Sequence, residues 1–425
     1  MNLLLKSEIL NLTRAAANWR SKSKIKITGS KSETNRLLLL QALFPNISLE
    51  NTSNSDDSEV MQKALASNSQ IPTPNSLLID IHHAGTAMRF LTAYFAVNEG
   101  REVVLTGSTR MKERPIKVLV EALQQLGANI SYENQEGYPP IRINGQKITK
   151  NQVSIPANVS SQYISALLLV APKLENGLEL TLVGEITSIP YIKMTLALLN
   201  EIGVKTTFEN NIITVKPSTI NNKPQTLTVE SDWSSASYFF SIVALSEIGT
   251  QITLSSYKQN SLQGDSALVE IYKNLGVETV FENNSIILRK SAICNLQPAF
   301  YNLNSSPDIA QTIVVTCLGL GIGCHLTGLH TLKIKETDRL EALKIEMTKL
   351  GANVSVTNDS LTLEPSTTIN SEVKIATYND HRMAMAFAPL ALKIPIIIEN
   401  AEVVSKSYPD FWEDLKSIGF LSESI

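Results

Sequence analysis

The chain has 425 residues, of which 43% are hydrophobic and 18% charged, and its formal net charge is -3. That length and apolar content predict large cores shared between two or more domains, and a charge so near balance argues against broad binding to nucleic acid. The N-terminal Met1-Asn2-Leu3-Leu4-Leu5-Lys6 has too short an apolar part for a signal peptide, and no apolar run is long enough to cross a membrane; a cytoplasmic protein is expected.

Ile25-Lys26-Ile27, then Gly29-Ser30-Lys31-Ser32-Glu33-Thr34-Asn35-Arg36, then the apolar Leu37 to Leu43 read as a strand, a tight turn and a helix start. A glycine lets backbone approach a ligand, and hydroxyls and cations at a helix N-terminus suit an anion. The second glycine and the Gly-Lys-Ser/Thr order of a P-loop are absent. An ordinary capped helix with solvated charges explains the same residues as well as a phosphate cradle does.

The theme of strand, polar turn and helix start returns along the chain. It is read in His83-Ala84-Gly85-Thr86-Ala87-Met88-Arg89 and in Arg110 to Ile116, where Pro115 is expected as the first helical residue with Arg114 at the cap. It follows in Ser160-Ser161-Gln162-Tyr163, Lys335-Glu336-Thr337-Asp338-Arg339, Asn379-Asp380-His381-Arg382 and Ser405 to Asp410. Singly, each has a plain explanation: Asp338, Asp380 and Asp308 as helix caps, Ser160-Ser161 likewise, Arg339 as a surface partner of Glu336.

A repeat organises these stretches. A helix ending in Leu/Ile-Gly, a strand, a polar turn and a second strand recur in Glu121 to Ile143, Leu196 to Val215, Glu270 to Leu288 and Leu340 to Leu363. Phe411 to Phe420 reads as a truncated fifth copy, and Ser58 to Ile81 as a degenerate sixth. The spacing is too wide for common solenoids and suits a β-α-β-α-β-β unit, so six units predict an α/β protein of two three-unit domains. Each repeat glycine is expected in the left-handed conformation after its helix, and Asn210-Asn211 and Asn283-Asn284 are expected at hairpin turns. Asn68 to Ser76 reads as an exposed loop, and Pro217 to Gln225 as a passage toward the second domain.

Cys294, Cys317 and Cys324 form no Cys-x-x-Cys pair and read as reduced structural thiols. His82-His83 diverge on a strand, and His325, His330 and His381 lack ligand spacing, so no metal site is expected. Repeated units present equivalent helix ends to a common cleft, where Lys31, Arg36, Arg114, Lys335, Arg339, Arg382 and Lys406 would converge. That much positive charge is costly unless a multiply charged anion fills it. Asp308 and Glu336 are the candidate proton handlers.

Together the runs Gly29-Ser30-Lys31-Ser32-x-x-Asn35-Arg36, Ala84 to Arg89, Arg110 to Ile116, Lys335 to Arg339 and Asp380-His381-Arg382-Met383-Ala384 resemble the EPSP synthase (3-phosphoshikimate 1-carboxyvinyltransferase) family, in order and over essentially the whole chain. The resemblance implies transfer of the enolpyruvyl group of phosphoenolpyruvate to the 5-hydroxyl of shikimate 3-phosphate, in aromatic amino acid biosynthesis. It implies an inside-out α/β barrel of two domains, 29–229 and 1–28 plus 230–425, with the active site in the interdomain cleft. Shikimate 3-phosphate would be held by Lys31, Ser32, Arg36, Ser160, Ser161, Gln162, Ser188, Asp308 and Lys335, with Tyr191 nearby. Phosphoenolpyruvate would be held by Lys31, Gly85, Arg114, Gln162, Arg339, Arg382 and Lys406. Asp308 is the expected base on the hydroxyl, with Glu336 and Lys31 as proton shuttles at the methylene. The scheme requires no metal or organic cofactor, and a monomer acting on small molecules is expected, with neither nucleic acid nor membrane as partner. The family's inhibitor glyphosate competes for the phosphoenolpyruvate site, where Gly85 resembles the sensitive type.

Two positions depart from the family pattern: Thr331 stands where an asparagine is common, and Phe90 where a proline is frequent. The sister transferase acting on UDP-N-acetylglucosamine usually carries a loop cysteine near the Arg114 region, and no cysteine precedes Cys294. A related fold acting on RNA ends calls for a basic surface and a nucleophilic histidine. A non-catalytic sugar-phosphate binding homologue is opposed by the presence of Asp308, Glu336 and Lys31.

Overall fold

The computed structural model describes residues 1–7, 24–70, 76–158, 160–186, 189–218, 223–291 and 297–425, without the side chains of 68–70. Contacts divide it into two compact units, Gly29–Val229 and Met1–Thr28 with Glu230–Ile425. Cys294, part of the loop expected at 68–76 and part of the passage expected at 217–225 lie outside the described residues; the helix Asp56–Gln70 occupies the start of that loop.

The recurring unit is clearest at Leu77–Asp80, Gly85–Ala96, Glu102–Thr106, Lys117–Leu126, Asn129–Tyr132 and Ile141–Asn144, a β-α-β-α-β-β order. Its first two strands run parallel and the last two close an antiparallel hairpin, with the final strand in the middle of the sheet. Among the described residues three further four-stranded sheets keep this strand order and a fourth has the N-terminal Leu3–Ser7 in the place of the final strand, giving a mixed α/β protein. The second of the Gly29–Val229 unit holds Gln152–Pro156, Leu178–Val183, Ile212–Val215 and Thr206–Glu209.

Local signals explain the unit. Gly127, Gly203, Gly276, Gly351 and Gly419 all take positive φ after their helices. At the first of these, Ala128 N bonds Leu123 O at 2.9 Å and Gly127 N bonds Gln124 O at 2.9 Å, which satisfies carbonyls that the helix end leaves open. Asn210 and Asn211, and Asn283 and Asn284, turn their hairpins with positive φ throughout.

The first helix of each unit sits in the interior, and apart from the polar first half of Lys31–Leu43 these helices are apolar on nearly every side. In Gly29–Val229 these are Lys31–Leu43, Gly85–Ala96 and Ser161–Val170, which pack on one another. In the other unit they are Trp233–Leu245, Ala310–Leu320 and His381–Phe387. Ser237 meets Thr312 at 3.0 Å and Ser241 meets Thr316 at 2.8 Å, so the first two of these run parallel, one contact per turn.

Two expectations change. The degenerate sixth copy is no hairpin of its own: Leu77–Asp80 opens the next sheet, while Ile47–Glu50 pairs in parallel with Gln225–Thr228, drawn from the far end of the same unit. The truncated fifth copy is completed by the N-terminal strand Leu3–Ser7, which lies between Ile396–Ile398 and Phe420–Ser424 and pairs antiparallel with both. A sequence repeat read along the chain does not show strands supplied from a distant segment. Leu5 in that strand is fully buried, so Leu5→Ala removes packed methyl groups and leaves a cavity. It is expected to destabilise this unit by about 2–5 kcal/mol, read as a lower urea midpoint.

Candidate active site

In the Gly29–Val229 unit, three helix N-termini meet. Arg36, on the first helix, donates from Nη2 to Ser165 Oγ on the third at 3.0 Å, and Gln162 Nε2 donates to Thr86 on the second at 3.1 Å. Arg36 also donates from Nε to Thr195 Oγ1 at 2.8 Å and from Nη1 to Ser32 O at 2.7 Å, and Phe90 and Tyr191 lie 5.4 and 5.7 Å from its guanidinium carbon. These acceptors are all neutral. Burial pulls Arg36 down to about 10, so it stays charged at neutral pH. Phe90, in place of the frequent proline, is thus a buried platform under a cation.

Arg89 repeats the arrangement. It is buried, donates to Gly85 O at 3.1 Å and Pro115 O at 2.9 Å, and leaves Nε buried without a partner. Burial, followed by the charge of Arg114, pulls it to about 10. The Arg114 guanidinium lies against Gly85: a Cβ there would stand 2.6 Å from Nη1 and 2.9 Å from Nη2. Two neighbouring cations, Arg89 held by carbonyls and Arg114 beside Gly85, near positive helix ends form a place for an anion. Lys31 differs, its Nζ resting 3.2 Å from Asp57. Ser160 caps the Ser161 helix through the Gln162 amide at 3.4 Å, and Ser161 is buried.

In the other unit the charge is compensated. Arg339, the first residue of the helix Arg339–Lys349, is buried and held by three carboxylates: Nε to Asp380 at 2.7 Å, Nη1 to Asp308 at 2.8 Å and Nη2 to Glu336 at 2.8 Å. Lys335 lies 3.4 Å and Arg382 3.5 Å from Asp308. Arg382 also donates to Asp308 O at 3.1 Å and to Ser234 at 3.2 Å, joining the N-termini of the three interior helices. Lys406 donates to Asn379 O at 2.7 Å. Burial alone would raise Asp308, but Lys335, Arg382 and Arg339 overcome it and hold the carboxyl well below the usual range.

The structure therefore brings Asp308, Glu336, Lys335, Arg339 and Arg382 together in one unit, and joins Gly85 to Arg114, Gln162 to Thr86 and Lys31 to Asp57. Ser188 lies outside the described residues. The surface pairing considered for Arg339 with Glu336 exists, but with a buried arginine. Asp308 sits in the short turn Pro307–Ile309, where its side chain serves cations and not the helix end. Arg114 is no helix cap, because the following helix starts at Lys117. His82 takes φ 51° in a turn beyond the strand. Gly29 serves a different close approach from the one expected: a Cβ would strike the Asn51 carbonyl and Val229, the protein's own chain.

Sequence reasoning missed Asp57, Arg89, Ser234 and Asp265. Asp265, in the turn Gly264–Ala267, accepts from the Ser234 hydroxyl and joins Asp308 and Asp232 among the carboxylates around Arg382. Gly264-Asp265 resembles any polar turn, so only tertiary structure reveals it.

A sequence profile of EPSP synthase (3-phosphoshikimate 1-carboxyvinyltransferase) matches residues 17–415. The 3-phosphoshikimate 1-carboxyvinyltransferase of Bacteroides fragilis is 46% identical over 406 residues, covering 94% of this chain and 96% of that protein. Its counterpart from Histophilus somni is 35% identical over 424 residues, covering 94% and 97%. Among solved structures, an EPSP synthase from Acinetobacter baumannii has the same fold, with a TM-score of 0.78 at 20% identity and full coverage of both chains.

Asp265 offers a pH test. Burial, followed by the charge of Asp308, pushes it up to about 6. A carboxyl raised above its unfolded value opposes folding when ionised, so the penalty is absent at low pH and grows as pH rises from about 4 to about 6. Asp265→Asn is expected to raise stability by about 1–3 kcal/mol above pH 6. The gain should fade as pH falls toward 4, as measured by urea unfolding across that range.

Proposed function

Because the chain belongs to the EPSP synthase (3-phosphoshikimate 1-carboxyvinyltransferase) family, we propose that it transfers the enolpyruvyl group of phosphoenolpyruvate to the 5-hydroxyl of shikimate 3-phosphate, releasing phosphate in aromatic amino acid biosynthesis. The observation that carries this reading is the cluster of Asp308, Glu336 and Asp380 on Arg339, with Lys335 and Arg382 on Asp308. It supplies carboxylates for proton transfer beside cations for carboxylate and phosphate groups.

Phosphoenolpyruvate gains a proton at its methylene, and the 5-hydroxyl oxygen attacks the adjoining carbon while its own proton passes to Asp308. The tetrahedral adduct then loses a methyl proton and its phosphate, restoring the double bond. Asp308 is ionised in the resting state but a weak base, because three cations share it. Anionic substrates that draw Lys335, Arg339 and Arg382 toward themselves remove that stabilisation and raise its proton affinity when a base is needed. Glu336 and Lys31 are the proposed shuttles at the methylene. Lys31, Ser32, Arg36, Ser160, Ser161, Gln162, Ser188, Asp308 and Lys335 are assigned to shikimate 3-phosphate; Lys31, Gly85, Arg114, Gln162, Arg339, Arg382 and Lys406 to phosphoenolpyruvate. The reading extends to a cytoplasmic monomer inhibited by glyphosate at the phosphoenolpyruvate subsite.

Phosphate release from phosphoenolpyruvate is expected with shikimate 3-phosphate as acceptor and absent with UDP-N-acetylglucosamine; the reverse pattern, or no release with either, refutes the assignment. Gly85→Ala pushes the Arg114 guanidinium aside, since its flexible end is what the new methyl would meet. An expected rise of about tenfold in KM for phosphoenolpyruvate corresponds to one weakened charge-assisted hydrogen bond, with KM for shikimate 3-phosphate unchanged in steady-state kinetics.

A further inference from the structure

Just before the helix His381–Phe387 the chain turns through Thr377-Tyr378-Asn379-Asp380. Both central residues have positive φ, 54° and 55°, and the Asp380 amide closes the turn on Thr377 O at 2.8 Å. Asparagine enters this region readily, whereas a bulky side chain does so only when something holds it there. What holds Tyr378 is its hydroxyl, which donates to Glu346 Oε1 at 2.6 Å, while the Ala376 amide donates to Oε2 at 3.1 Å. The Glu346 side chain is fully buried, and Lys349 Nζ reaches both of its oxygens, at 2.9 and 2.7 Å.

Glu346 lies about two turns beyond Arg339 on the same helix face. Arg339 grips Asp380 and Glu346 grips Ala376 and Tyr378, so one rigid helix holds the turn at both ends. The turn in its turn carries the neighbouring cations. The Arg382 amide donates to Asp380 Oδ1 at 2.9 Å, and Lys406 Nζ donates to the carbonyl of Asn379.

We propose that Glu346, acting through the Tyr378 hydroxyl, is a positioning residue for the anion-binding cations Arg339, Arg382 and Lys406. The proposal rests on the transferase reading above. Two full-length variants test it: Tyr378→Phe removes the hydroxyl alone, and Tyr378→Asn removes it while suiting the positive φ. Both are expected to raise KM for phosphoenolpyruvate about tenfold with KM for shikimate 3-phosphate within about twofold, and to speed hydrogen exchange at the Asp380 amide about tenfold. Thermal stability of Tyr378→Asn should be no lower than that of Tyr378→Phe. Unchanged kinetics, or an equal rise in both KM values, overturns the proposal. If the unaltered protein releases phosphate with neither acceptor, the transferase reading fails instead. Exchange at Asp380 then still decides the matter, and an unaltered rate overturns the role of Glu346.

Discussion

The Arg339 guanidinium has almost no exposed surface, and the Glu230–Ile425 part of the chain brings three carboxylates to it, which offset the cost of burying the charge. They come from different places: Glu336 from the loop ahead of the helix, Asp308 from the start of one interior helix and Asp380 from the start of another. Removing any one would cost the buried guanidinium a charge-assisted hydrogen bond. The interaction therefore fixes the relative positions of these helix starts more firmly than apolar packing alone, which tolerates small slides.

The two units solve the problem of concentrated positive charge in opposite ways. In Gly29–Val229, Arg36 and Arg89 rest on hydroxyls, carbonyls and aromatic faces, which orient the cations without cancelling them. In the other unit carboxylates cancel most of the charge. A dianionic ligand gains most beside Arg36 and Arg89, whose hydrogen bonds go to neutral groups, whereas at Lys31 it must displace Asp57. In the other unit it must exchange partners with Asp308 and Glu336, which couples occupancy to the basicity of the very groups that handle protons.

The repeat was legible because its marks are local: a glycine after each helix, asparagines at the hairpins, and apolar helices. Leu340, Leu343, Met347 and Leu350, spaced to fall on one helix face, are all fully buried. The site was legible as motifs, since helix starts carry polar residues at short spacing. What stayed hidden was tertiary. Nothing near Leu3–Ser7 announces pairing with Phe420–Ser424, and nothing near Gly264 announces that Asp265 faces Ser234 and Arg382. The expectation that only an outside anion could offset the convergent cations failed for the same reason: Asp57 and Asp380 look like helix-start residues until their neighbours are known.

The N-terminal strand has a consequence for how the chain is made. Gly29–Val229 is contiguous and holds all its strands once residue 229 has been synthesised. Leu3 and Leu5, by contrast, belong between strands made near the other end, so an apolar segment waits through most of translation for its partners. One unit is free to mature early while its companion stays an open sheet. The burden of avoiding premature association falls on the earliest strand of the molecule's slower half.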